Sequence, residues 1–226
     1  MAKAPDPASA ARLSTAQIST ALKRAGRRKI AERAAVIRAA LHTPHLGRPQ
    51  VLTAAYAATI RAQAAILTTL NAPITVLEGQ IAAHFSRHPD AEIYRSQPGL
   101  GPVLGARVLA EFGDDPIRYA DVKARRNYAA TSPITRQSGK KKTVMARWVH
   151  NDRLIDALSR QAFAALSASP GARAYYDQLR AREVGHWAAL RQLANRLVGI
   201  LHGCLKTGTR YDETTAWSHR SERVVA

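Results

Sequence analysis

Ser138 is followed by Gly139 and stands among Arg136, Lys140, Lys141 and Lys142. A serine hydroxyl can attack a phosphodiester when nearby cations stabilise the developing charge and ease loss of its proton. Gly139 adds backbone freedom and open access beside it. No His/Asp pair adjoins the serine, so an acyl-transfer triad is not indicated. On residues alone, Ser-Gly beside a lysine run is more often just the turn of a DNA-binding loop, with catalysis as the second reading. From Arg118 to Arg147 there are nine basic residues (118, 123, 125, 126, 136, 140, 141, 142 and 147) against one acid, Asp121. Arg125, Arg126, Arg136, Lys140, Lys141, Lys142 and Arg147 are therefore candidate phosphate contacts.

Other reactive residue types give weaker patterns. A magnesium-dependent nuclease needs converging carboxylates. The sixteen acids are scattered, and no Asp-x-Asp or Asp-x-Glu lies on a predicted strand. Capping and surface pairing beside Arg153 and Arg160 account for Asp152 and Asp156, with Asn151 or Asp152 as the helix cap. His84 with His88 and His42 with His45 have near-ligand spacings but lack Glu or Cys company, so no metal site is expected on this chain. His186 and His202 fall on one helix, where one can serve as a polar core residue. The single cysteine, Cys204, excludes an internal disulfide framework and a cysteine-based zinc site; its apolar surroundings predict a buried, inert thiol.

The 226 residues include 34 Lys+Arg and 16 Asp+Glu, a formal charge of +18, and 46% are apolar. That apolar content argues against wholesale disorder. The charge argues for a polyanionic partner: DNA, RNA or an anionic membrane surface. Arg outnumbers Lys, which codon bias in a GC-rich genome also explains, although such bias does not explain the shortage of acids. There is no run of about 18 consecutive apolar residues and no apolar leader, so neither a membrane span nor secretion is expected. The expected setting is the bacterial cytoplasm, at the nucleoid.

These residues need positioning elements. Residues 1–12 read as a loose tail. A helix capped by Ser14 or Thr15 runs to about 25, and another covers about 28–41. Residues 50–86 form one long helical stretch in which Ile60, Gln63, Leu67, Leu70, Ile74, Leu77, Ile81 and His84 follow heptad spacing, as in a coiled coil or long antiparallel hairpin. Pro73 either kinks this helix or divides it into a pair near 71–73. After His88-Pro89-Asp90, a short helix meets Pro98-Gly99-Leu100-Gly101 and a second helix follows to about Phe112. Gly99 and Gly101 allow a tight turn and close backbone approach to a ligand, and the amides opening the second helix suit phosphate. This is the helix-hairpin-helix pattern; an ordinary helix connection is its alternative. Asp114 or Asp115 is expected as an N-cap with Pro116 at the first helical position, and a helix over about 120–130 follows, with Val122 and Tyr128 available for the core. Thr131–Arg147 breaks the helical period, with two β-like runs, 133–137 and 143–148, forming one short β-hairpin. Helices over about 151–167, 172–182 and 186–206 follow, and the last residues read as a flexible polar tail. The fold class is mainly α, divided as 1–49 tail and short helices, 50–88 coiled coil, 93–206 helical DNA-binding domain, and 207–226 flexible tail.

The runs Pro98-Gly-Leu-Gly-Pro-Val-Leu-Gly-Ala-Arg-Val-Leu-Ala-Glu-Phe-Gly-Asp114, Tyr128-Ala-Ala-Thr-Ser-Pro133, Gln137-Ser-Gly139 and Tyr175-Tyr-Asp-Gln-Leu-Arg-Ala-Arg182 with His186 resemble the insertion-sequence transposases of the IS-one-ten family. The resemblance covers about residues 50–210. It implies an N-terminal RNase H-like domain with an Asp-Glu-Asp-Asp magnesium site, then a coiled coil that mediates oligomerisation, then a helical domain with a nucleophilic serine. That serine corresponds to Ser138. The implied partners are DNA and a guide (bridge) RNA, with a homo-oligomer through the coiled coil and no membrane. This sequence starts where the family's first domain should have ended, so the expectation is a C-terminal, non-autonomous form. Magnesium would then belong to the full-length family's missing domain. The alternative is a non-catalytic, structure-specific DNA- or RNA-binding protein.

Overall fold

The computed structural model describes residues 3–44 and 46–221, with the side chains of 219–221 not included. The chain divides into two units, 1–76 and 77–226, within one long helix.

The first unit is built from α1 (Pro7–Ala11), α2 (Thr15–Arg24), α3 (Ile30–His42) and the start of α4 (Gln50–Phe85). Residues 7–11 are helical because Asp6 and Ser9 form a reciprocal capping box, rather than lying in a loose tail. Ser14 and Gln17 repeat that device at α2. Ile18, Ala34 and Ala57 are this unit's buried apolar residues. His45 lies outside the described residues.

Helix α4 runs unbroken through Pro73, so of the two alternatives the division into a helix pair does not occur. Apolar neighbours favour continuing the helix on both sides, and the proline removes only one ladder donor. Thr59, Thr68, Thr69 and Thr75 return their hydroxyls to the carbonyls four residues earlier, at 3.1, 2.8, 3.0 and 3.1 Å. The seam residues Leu67, Leu70, Ile74, Leu77 and Ile81 are exposed. The most apolar 18-residue stretch of α4 reaches a mean hydropathy of 1.2, so by length and composition alone it is long and apolar enough to cross a membrane. The expectation of no such segment rested on uninterrupted apolar runs, and this average does not require one.

The second unit continues with α5 (Ala91–Ser96), α6 (Pro102–Phe112), α7 (Val122–Tyr128), β1 (Ile134–Ser138), β2 (Lys141–Met145), α8 (Asp152–Ala168), α9 (Pro170–Ala181), α10 (His186–Thr207) and α11 (Glu213–Ser221). Helix α10 is its axis, packed against α5, α7, α8 and α9. It buries Leu190, Leu193, Leu197, Val198 and Leu201, whose spacing predicts that face, together with Cys204. Phe112, Leu154 and Leu158 complete the core. Gly99 has φ +81°, and a Cβ there would lie 2.5 Å from the Gln161 carbonyl oxygen on α8. The space a side chain would need there is taken by α8.

Three other expectations change. Asp115 accepts from the Ile117 amide at 2.9 Å within a loop, while Asp121 caps α7 by accepting from Ala124 at 2.6 Å. Residues 113–121 stay non-helical because the loop is pinned to the end of α6: Arg118 donates to the Phe112 carbonyl at 3.0 Å and Tyr119 does so at 2.9 Å. The tail expected from 207 instead carries α11, whose Trp217 is buried. Glu213 holds it, accepting from Ser169 at 2.9 Å and from the Gly171 amide at 2.7 Å. Residues 222–226 lie outside the described part.

Candidate nucleic-acid interface

The hairpin β1–β2 pairs Ile134 with Met145 and Ser138 with Lys141, so Gly139 and Lys140 alone form its turn. Gly139 has φ +55° while Lys140 does not have positive φ, which is the pattern of the II′ turns that match strand twist. Ser138 is thus the last residue of β1, one position further into the strand than the sequence pattern suggested. Side chains alternate across a strand, and directly paired residues share a face. Ser138, Lys141, Arg136 and Thr143 therefore lie on one face of the ribbon. Gln137, Lys142, Thr135 and Val144 lie on the other. Of the three consecutive lysines, only Lys141 is paired with the serine.

All of β2, and β1 beyond Ile134, is solvent-exposed. A two-stranded ribbon without a buried face is marginal by itself, so its attachment matters. Thr131 donates to Asn195 Oδ1 on α10 at 3.0 Å, and Ser132 reaches the same oxygen at 3.4 Å. Arg147 donates to Asn127 Oδ1 on α7 at 2.9 Å. Both ends of the excursion are thereby tied to the helical body. Asn127 and Asn195 carried no chemical signature in the sequence.

The predicted cations separate into two groups. Arg136, Lys140, Lys141 and Lys142 are exposed. Arg125 is only 5% exposed, with its guanidinium 4.6 Å from the Tyr119 ring centre and 5.2 Å from that of Phe112. It is a core cation, and the expectation of a surface phosphate contact fails because α7 turns it inward. Tyr94 lies on the same side, and burial raises its phenol pKa to about 12, which keeps it protonated. Arg126 lies against the Gly199 backbone, where any side chain would collide with it. Burial, then the neighbouring Arg196, holds the Arg126 pKa below its ordinary value. Arg147 is half-buried and tethered as described.

At the other glycine, Gly101 precedes α6 without a side-chain cap, and Gly101, Pro102 and Val103 are exposed. Asp156 accepts from Arg160 Nε at 3.0 Å and from Arg107 at 2.7 Å, which holds its carboxyl below the usual range. Asn151, not Asp152, caps α8. Among the described residues, no three His, Cys, Asp or Glu side chains converge to hold a metal ion. The magnesium implied for the family thus finds no fitting donor set among those residues.

Comparison with known proteins finds insertion-sequence transposases and insertion-element proteins among the relatives. Residues 91–177 match the model of the Transposase IS116/IS110/IS902 family. The chain is 43% identical over 218 residues to the mini-circle putative transposase for IS117 of Streptomyces coelicolor, covering 95% of this chain and 52% of that protein. It is 32% identical over 154 residues to the IS110 uncharacterized 43.6 kDa protein of the same organism, covering 66% and 37% of the two chains. With the IS900 uncharacterized 42 kDa protein of Mycobacterium paratuberculosis the figures are 32% over 147 residues, 65% and 37%. The chain spans about half the length of the first relative and less of the others.

Proposed function

We propose that this chain is a DNA-binding, strand-exchanging part of an insertion-sequence transposase, with Ser138 as its nucleophile. The observation that carries this reading is the hairpin tip: an exposed serine paired with Lys141 and sharing its face with Arg136. In the reaction, Ser138 Oγ bonds to phosphorus and the bond from phosphorus to one deoxyribose oxygen breaks. The departing oxygen takes the electron pair and a proton. The serine proton passes to solvent or to a base outside the hairpin, because no imidazole or carboxylate is hydrogen-bonded to Ser138 among the described residues. The phosphoester is exchanged and not hydrolysed, so attack by another strand's hydroxyl can rejoin the DNA. Arg136 and Lys141 stabilise charge on the non-bridging oxygens.

The uncapped start of α6 supports a second contact with the DNA backbone, in the manner of a helix-hairpin-helix motif. The exposed heptad seam on α4 supports a partner helix from a second copy. Its apolar residues recur at spacings of three and four, and Gln63, Asn71 and Glu78 interrupt the surface, which suits a helix seam better than a lipid environment. A guide RNA would add phosphate that the +18 charge can neutralise.

The test is a denaturing gel with nicked target DNA, supplying in trans the portion of the longer relatives that this chain does not cover. A protein–DNA adduct lost in Ser138→Ala is expected. No adduct under those conditions, with salt-sensitive DNA binding intact, would establish instead the non-catalytic nucleic-acid-binding reading, which the absence of a base beside Ser138 favours.

A further inference from the structure

The loop joining β2 to α8 is braced on both sides yet leaves its apex uncovered. Arg147 is tied to Asn127, and the Arg147 carbonyl meets His150 Nδ1 at 3.2 Å. His150 Nε2 lies 3.0 Å from Asp152, and Asn151 donates to Glu111 on α6 at 2.6 Å while capping α8. Between these anchors stand Trp148, 91% exposed, and Val149, 88% exposed. A loop free to collapse would lay an indole on the nearby core. Here hydrogen bonds hold the backbone while the ring makes no ring contact, ion pair or hydrogen bond among the described residues. Trp187 is also exposed, but it meets the His186 ring edge-on, with centres 4.9 Å apart, and lies outside the basic stretch.

We propose that Trp148 is a stacking platform for an unpaired nucleobase of the strand whose backbone the hairpin cations hold. This rests on the nucleic-acid reading above and extends it from phosphate to base. Three observations favour a base over a protein surface. The indole lies a few residues from the exposed Lys141 and Lys142 on the same continuous excursion. In sequence Arg147 precedes it and Arg153 follows five residues on, and the intervening acid, Asp152, already faces His150. The cores of protein interfaces are depleted in charge, whereas single-strand sites combine aromatic rings with cations. The platform carries no sequence preference of its own, since every base has a π face.

The test uses the full chain with a labelled twelve-nucleotide oligothymidylate and with an abasic strand of the same length, which keeps the phosphates and removes the bases. Wild type should bind the thymidylate about tenfold more tightly than the abasic strand. Trp148→Ala should bind both strands alike, at the abasic level, and Trp148→Phe should retain part of the difference. An exposed ring supports no packing, so the melting temperature should not move. If Trp148→Ala still prefers the thymidylate tenfold, the platform is overturned while the nucleic-acid reading stands. If wild type binds neither strand, both are overturned. If wild type binds both strands alike and Trp148→Ala dissociates an oligomer in sedimentation, the loop is a protein interface and the platform is wrong.

Discussion

The helical body around α10 and the excursion from Pro133 to His150 belong to the same unit and obey opposite rules. In the body, Leu193 and Leu197 are wholly buried and even a cation, Arg125, is drawn in among rings. In the excursion, both ribbon faces meet solvent, and order comes from a two-residue turn and from hydrogen bonds at the roots. Stability and function should therefore separate along this line. Side chains of the body set how firmly the unit folds, and side chains of the ribbon set what it does to a nucleic acid.

The largest expected effect on function is from Ser138→Ala, which should abolish the covalent adduct on a denaturing gel without shifting the melting temperature. A loss of stability there would break the comparison. Its mirror is Leu197→Ala, expected to cost about 2–5 kcal/mol in denaturant unfolding by opening a core cavity. Adduct formation per folded molecule should be unchanged.

The next test divides the ribbon itself. Lys141→Gln or Arg136→Gln should slow adduct formation about tenfold, in line with the loss of one charge-stabilising contact of about 1.4 kcal/mol. Lys142→Gln, on the opposite face, should mainly reduce the salt slope of DNA binding, by about one counterion. Equal effects on the adduct rate from Lys141 and Lys142 would show that the two faces are not distinct in the complex. Asn195→Ala joins the two regions. It should cost about 1 kcal/mol of stability through two lost hydrogen bonds, and it should also slow the adduct step by loosening the ribbon's root.

The smallest effect is one of pH. Burial, then the Arg125 charge, lowers the His202 pKa below its ordinary 6.5; Lys206 and Arg126 add to this and Asp121 opposes it. The folded state therefore takes up its proton at lower pH than the unfolded state. Stability from this group is complete above pH 6.5 and declines as pH falls below it, levelling off once the folded form is also protonated. His202→Gln should flatten the decline of stability below pH 6.5, as read by denaturant unfolding at successive pH values.

Much of the body was legible in the chain. The 3.6-residue periodicity of Leu190, Leu193, Leu197 and Leu201 placed α10, and Gly185 marked its start. Proline and glycine marked the entry to α6. The ribbon was legible from its loss of helical period, although the turn fell one residue later than the Ser-Gly pair implied, because the II′ turn takes Gly139 as its first central residue. Less could be read where tertiary packing decides the matter. Arg125 and Arg126 are adjacent in sequence and equally basic, and only the rings of Phe112 and Tyr119 determine that the first is buried. The need for glycine at 99 was legible from the turn, but its packing against α8 was not. Trp217 lay in a polar stretch whose composition hid a helix held by Glu213.

The threonines of α4 carry a consequence for handling this protein. A hydroxyl bonded to its own helix presents mainly a methyl group to the surroundings, so Thr59, Thr68, Thr69 and Thr75 make α4 greasier than their letters suggest. Fragments cut to contain this helix should therefore clump or seek detergent unless something covers it, and fragment boundaries are better set in the loops flanking α5 than within residues 50–85.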